Sequence, residues 1–136
     1  MSRGPVIRLS GYTINNINYE TIENPEEIVS TGDPEFSFEF GFTEDYKEAL
    51  VTMSVEMIDL ARARSISVSV SGNFIIPESD IAVEEIQMYV AHNGSAMIYP
   101  YLRAAVSVIT TLDGPSAIVL PTLNMIEELS KNAENN

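Results

Sequence analysis

The chain has 136 residues, 20 acidic and 7 basic, for a formal net charge of −13, and 45% of it is hydrophobic. That length and apolar share suit one globular domain and exclude a wholly disordered chain. A phosphate backbone or an anionic bilayer needs a basic face, so the charge excludes generic nucleic-acid binding and argues against anionic membranes. With no cysteine, disulfides, thiolate nucleophiles and Cys-type zinc sites are excluded as well.

Met1-Ser2-Arg3-Gly4-Pro5 leads into no long apolar run, so no secretory leader is expected. Val6 to Tyr19 predicts one strand, bent or bulged near Gly11. Thr21 to Pro34 is a connection too long for a hairpin. Phe36, Phe38, Phe40 and Phe42 alternate with Ser37, Glu39 and Gly41, which sets four rings on one face of a second strand. After a polar turn at Glu44 to Glu48, Val51, Met53, Val55 and Met57 mark a third strand. Ile66, Val68 and Val70, spaced by serines, mark a fourth. Gly72-Asn73 is expected to break or bulge it before Phe74, and Pro77 to stop it. Short connections favour an antiparallel meander of strands two to four.

The second half has helical spacing. Ser79 or Asp80 can cap a helix from Ile81 to Ala91, which Asn93-Gly94 interrupts. Ser95 is a second candidate cap. Pro100 is tolerated only near a start, so the main helix is expected to begin at Met97 to Tyr99 and to run to Leu112. Asp113-Gly114-Pro115 ends it, and Ile118 to Pro121 forms an extended connector. Thr122 caps a last helix from Leu123 to about Lys131, and a frayed tail is expected over 132–136. The longest apolar stretch, Ala96 to Val108, is broken by Pro100, Arg103 and Ser107 and is too short to span a bilayer. The expectation is a cytoplasmic, acidic, single domain of α+β class.

The main helix carries Tyr101, Leu102, Ala104, Ala105, Val106, Val108, Ile109 and Leu112 around nearly its whole circumference. A helix on one sheet needs only an apolar stripe. Either a second subunit covers the rest, which makes Tyr101, Leu102, Ala105, Val108, Ile109 and Leu112 an oligomer interface, or the connector and the last helix cover it internally.

Catalytic chemistry finds little footing. His92 is the one histidine, no G-x-S-x-G elbow accompanies it, and the pairs Glu26-Glu27, Glu84-Glu85 and Glu127-Glu128 suit caps and solvated faces. No phosphate-cradling glycine loop or EF-hand spacing occurs, so no enzyme, metal or cofactor is expected. Arg103 suits an ion pair or carbonyl contacts at an interface. The phenylalanine stripe is either a rich core face or one wall of an apolar peptide groove beside the last helix. Met53, Met57 and Met125 add soft, adaptable surface to either.

Met97-Ile98-Tyr99-Pro100-Tyr101-Leu102-Arg103 resembles the opening of the long helix in SecB-type export chaperones. Ile118-Val119-Leu120-Pro121-Thr122-Leu123-Asn124-Met125 is similar to the approach to that family's last helix, and Ser71-Gly72-Asn73-Phe74 resembles the end of its fourth strand. The resemblance implies a four-stranded antiparallel sheet with a long and a short helix on one face, assembled as a homotetramer (a dimer of dimers) or a homodimer. It implies an ATP-independent holdase for unfolded or pre-export polypeptides. The groove would be lined by Phe36, Phe38 and Phe40 and by Met125, Ile126 and Leu129.

One departure matters. Family members dock on the SecA motor through acids on the exposed sheet face, whereas Ser10-Gly11-Tyr12-Thr13-Ile14-Asn15 holds none and the fourth strand presents Ser65, Ser67, Ser69 and Ser71. That argues against motor docking and leaves room for relatives that guard toxin–antitoxin systems. A structural subunit without clients and an apolar small-molecule carrier are the alternatives.

Overall fold

The computed structural model describes residues 7–28, 31–77 and 80–135, the last three by backbone alone. Strands β1 (Arg8–Thr21), β2 (Glu35–Phe42), β3 (Glu48–Asp59) and β4 (Arg64–Ile75) form one sheet in the order β1-β4-β3-β2, antiparallel throughout. The meander is the expected one. β1 and β2 are opposite edges, so the chain between them must cross the end of the sheet. It does so by donating the Ile22 N–H to the Ala63 carbonyl (2.8 Å) and by accepting the Ile58 N–H at Gly32 (3.1 Å). Gly32 has φ +81°, and a Cβ there would sit 2.5 Å from the Ile58 oxygen, so only glycine serves.

The period-2 pattern sorts the sheet into two faces. Val51, Met53, Val55, Val68 and Val70 are fully buried toward the helices. The other face carries hydroxyls and amides: Asn15 Nδ2 donates to Ser71 Oγ (2.7 Å), Thr52 and Ser71 share a bond of 2.8 Å, and Ser54 donates to Ser69 (3.0 Å). The irregularities lie in β1, between Leu9 and Gly11 and between Ile14 and Asn16. Gly72-Asn73 does not bulge β4, which keeps its register with β3 through Ile75. Gly72 serves close approach instead, since a Cβ there would meet Ile98 Cδ1 at 2.1 Å and force that buried side chain to move.

The helical half is less interrupted than its sequence suggests. Helix α1 (Val83–Tyr89) passes through a wide π turn at Val90–Gly94 straight into α2 (Ser95–Thr111). Ser79 lies outside the described residues. Ala82 is extended at ψ 149°, so the helix starts at Val83 rather than Ile81, and no side chain caps it. The expected break at Asn93-Gly94 fails because Gly94 (φ −61°) and Ser95 (φ −62°) stay right-handed helical. The π turn absorbs the extra residue. Gly94 also lets the helix approach β3, where a Cβ would lie 3.0 Å from Val51 Cγ2. Ser95 is therefore no cap, and its buried Oγ has no hydrogen-bond partner among the described residues. Pro100 sits inside α2, well past the first turn. It leaves the Ala96 carbonyl without its donor, and both residues are exposed, so water can serve that group.

α2 buries Ile98, Leu102, Val106 and Thr110, one stripe at four-residue spacing, against β3 and β4. The connector covers a flank: Leu120 is buried, Ser107 Oγ donates to the Ile118 carbonyl (2.9 Å), and the Tyr99 hydroxyl donates to the Pro121 carbonyl. The helix end is tied to the β3–β4 turn. Arg62 donates to the Thr110 carbonyl (3.0 Å), one of the acceptors a helix terminus leaves free. The Tyr19 hydroxyl donates to Asp113 (2.7 Å), and Arg64 pairs with the same carboxylate oxygen at 3.0 Å.

The Tyr19 bond, with the Arg64 charge behind it, holds the Asp113 carboxyl below its ordinary value. A folded-state pKa below the unfolded one adds stability above the unfolded value, and that contribution is lost as pH falls through the folded one. Asp113→Asn is therefore expected to flatten the stability curve below about pH 4. Thermal melts of both proteins across the acid range test it, and an acid limb unchanged by the substitution overturns it.

Helix α3 runs over Met125–Asn135. Asn124, not Thr122, is its cap, since the Glu127 N–H donates to Asn124 Oδ1 (3.2 Å). The helix continues past Lys131 through Asn132, placed by the sequence in a tail, because Asn132 finds partners on β2.

Candidate functional site

The four phenylalanines of β2 face the helices, as their alternation requires. Phe38 is 4% exposed and belongs to the core, whereas Phe36, Phe40 and Phe42 are half-buried. Phe36 meets Tyr99 edge-on, with centroids 5.8 Å apart and planes at 77°. The stripe is thus core at its middle and surface at its flanks. α3 packs on β2. It turns Met125 and Leu129 toward the core, half-buried, and leaves Ile126 65% exposed. Its first turn carries Glu127 and Glu128.

The two walls are also joined by hydrogen bonds. The Phe38 N–H donates to Asn132 Oδ1 (3.3 Å), and Asn132 Nδ2 donates to the Phe38 carbonyl (3.5 Å). Sequence reasoning missed Asn132. The signal was available, since Met125, Leu129 and Asn132 share the i, i+4, i+7 spacing of one helix face. Met53 lies fully inside the core and adds nothing to a surface, while Met57 and Met125 are half-buried.

The expected oligomer face divides. Leu102 is fully buried in the chain's own core, because it sits on the stripe that meets the sheet, so it cannot face a second copy. Tyr101, Ala105, Val108 and Leu112 form a separate stripe at helical spacing. Its exposure grows along the helix, to 61% at Val108 and 78% at Leu112, while Ile109 is half-buried. Tyr101 stacks on Tyr12 of β1, with centroids 3.9 Å apart. With Tyr19 tied to Asp113 at the other end, β1 runs beside α2. Between these ties Ile14 and Ile17 are 50% and 42% exposed. The bulges of β1 hid this apolar edge from the sequence.

The remaining candidates stay isolated. His92 lies in the π turn, and no His, Asp or Glu cluster fit for a metal occurs among the described residues. The Arg103 side chain is half-buried and within electrostatic reach of the Tyr99 hydroxyl, with no ion pair or side-chain hydrogen bond among the described residues. Glu84 and Glu85 occupy the first turn of α1, as a helix N-terminus favours. On the outer sheet face Ser65, Ser67 and Ser69 of β4 are half-buried and Ser71 is closed over, and acids come from β1, with Glu20 opposite Ser65, and from β2 and β3, with Glu35 directly opposite Glu56. Among the described residues no helix is long and apolar enough to cross a membrane.

No protein-family model matches the chain, and no curated protein sequence matches it. Solved structures do. One is the SecB-like chaperone Rv1957 of Mycobacterium tuberculosis, in complex with a ChAD peptide from the antitoxin HigA1, Rv1956. It is 19% identical with a TM-score of 0.67, over 87% of this chain and 90% of that one. Another is a protein of unknown function from Streptococcus agalactiae, 15% identical with a TM-score of 0.50, over 85% of this chain and 97% of the other. The four-stranded antiparallel sheet with a long and a short helix on one face is the SecB-like fold.

Proposed function

We propose that this chain is an ATP-independent holdase for unfolded or pre-export polypeptides. Apolar client segments lie against Phe36 and Phe40 of β2 and Met125, Ile126 and Leu129 of α3, while Phe38, closed over in the core, supports the groove from beneath. The observation that carries this is the meeting of an aromatic edge strand with an amphipathic helix, each only half covered by the other. A structural neighbour was solved holding a peptide, which supports a polypeptide as the ligand. Burial at about 25 cal/mol per Å² of apolar surface gives affinity without sequence reading, and several grooves on one assembly add avidity. The net charge of −13 keeps a loaded complex soluble.

Assembly is part of the proposal. The bare stripe of α2 and the exposed apolar edge of β1 are offered to a second copy, in a dimer or a tetramer. The carrier alternative loses its chamber, since Val51, Val68, Val70, Ile98, Leu102 and Val106 fill the interval between sheet and α2. A structural subunit remains the second reading, favoured by the same α2 face. Light scattering of an unfolding test protein decides between them. Near-stoichiometric chain without nucleotide is expected to suppress the rise. A folded chain that changes no test protein's aggregation overturns the holdase and leaves the structural subunit.

A further inference from the structure

We infer that β2 accepts an extended client segment as a fifth, antiparallel strand, and that the Asn132 side chain is the resident group this strand displaces. The inference rests on the holdase reading and specifies how a client backbone is held.

β2 is an edge strand. Successive residues of an antiparallel strand send their N–H and C=O groups alternately toward one neighbour and the other. The Thr43 N–H donates to the Glu48 carbonyl at the β2–β3 turn (3.0 Å), so odd positions bond inward to β3. Phe38 sends both groups outward, to Asn132. By the same alternation Phe36 and Phe40 also present N–H and C=O outward, and among the described residues only Phe38 of the three has a partner there.

Asn132 indicates what the edge is shaped to hold. One amide gives a single residue both an acceptor and a donor, which is the exchange made by a hydrogen-bonded antiparallel pair. A parallel partner would divide those two bonds between two residues. At 3.3 and 3.5 Å both bonds are long, against about 2.9–3.0 Å for an ordinary one, so a peptide backbone competes with them on favourable terms.

The register also sets the occupant's chemistry. Client residues opposite Phe36, Phe38 and Phe40 turn their side chains to the helix face, beside Met125 and Leu129. Those between them turn to the outer face, beside Glu35, Ser37 and Glu39. Glu35 and Glu39 are exposed and have no ion pair among the described residues, and Glu35 faces Glu56 across the ladder. Like charges opposed on a sheet are relieved by a cation alongside. The matching segment alternates apolar residues with Lys or Arg.

The test uses the full chain and a labelled leucine–lysine alternating peptide of about ten residues, the length of a long strand. In an antiparallel fifth strand the leucine N–H groups point at β2 and the lysine N–H groups point away. N-methylation at the leucines is expected to weaken binding at least about tenfold, and at the lysines by less than about twofold. Asn132→Ala, with its fold checked by thermal melting, is expected to tighten binding severalfold. Equal losses in both methylated series, or loss in the lysine series alone, overturn the fifth strand and leave side-chain binding in the groove standing. Unchanged or weaker binding by Asn132→Ala overturns the displacement. No binding of the unmethylated peptide by a chain that still suppresses aggregation also overturns the inference, and failure of both assays takes the holdase reading with it.

Discussion

Replacing Ile126 and Leu129 together by aspartate is expected to abolish suppression of client aggregation while the circular dichroism of the sheet and α2 persists. Ile126 is 65% exposed, so its replacement carboxylate stays in water and costs the fold little. Leu129 is half-buried at the margin of the core, on a helix packed against β2 and the π turn. Each large aliphatic side chain that a client would cover contributes about 1.5–3 kcal/mol. Losing two removes about 3–6 kcal/mol, a factor of roughly 10² to 10⁴ in affinity. The new carboxylates join Glu127 and Glu128 on one short helix, and a client would have to desolvate them. Phe38→Asp is the wrong probe, because at 4% exposure an unpaired carboxylate would sit in the core and unfold the sheet. Aggregation assays beside circular dichroism decide. A folded double variant with undiminished activity removes α3 from the groove.

The sheet was legible because burial on one face writes period-2 alternation directly into β2, β3 and β4. Its exceptions follow from what alternation omits. β1 is bulged twice, so its apolar residues slip out of phase and no regular period marks its exposed Tyr12, Ile14 and Ile17. Asn93-Gly94 and Gly72-Asn73 carry the residues of turns and bulges, yet tertiary packing uses both glycines for close approach: Gly94 to Val51 and Gly72 to Ile98. Propensity sees missing side chains and not the neighbours that need the room. Pro100 suits a helix start because its missing donor is harmless there. Facing water does the same service mid-helix. At the candidate groove, residue types and strand register were readable from the phenylalanines. That Phe38 is closed over and that Asn132 engages its backbone depend on where α3 lands, which sequence spacing alone does not fix.

The largest effect on assembly is expected from Val108→Asp with Leu112→Asp. Both side chains are exposed in the single chain, at 61% and 78%, and surface substitutions of this kind change stability by about 0.5 kcal/mol or less. The double variant should therefore fold as the parent does. In a symmetric assembly the same stripe lies on both copies, so each side chain counts twice. At about 1.5–3 kcal/mol per buried Val or Leu, four losses come to about 6–12 kcal/mol, comparable with the roughly 8 kcal/mol that holds a micromolar dimer together. Four introduced carboxylates then face each other across the contact, on chains that already carry −13 each. Ala104→Asp is a sharper second probe, because Ala104 is exposed on α2 and a small side chain there contributes little burial. Native mass by light scattering is expected to fall from an oligomer to the 15.0 kDa of one chain in the double variant. A parent that already runs as a monomer, or a double variant that keeps the oligomer's mass, rejects this face. Monomeric variants that still suppress aggregation, but at higher concentration, would separate the groove from the avidity that assembly lends it.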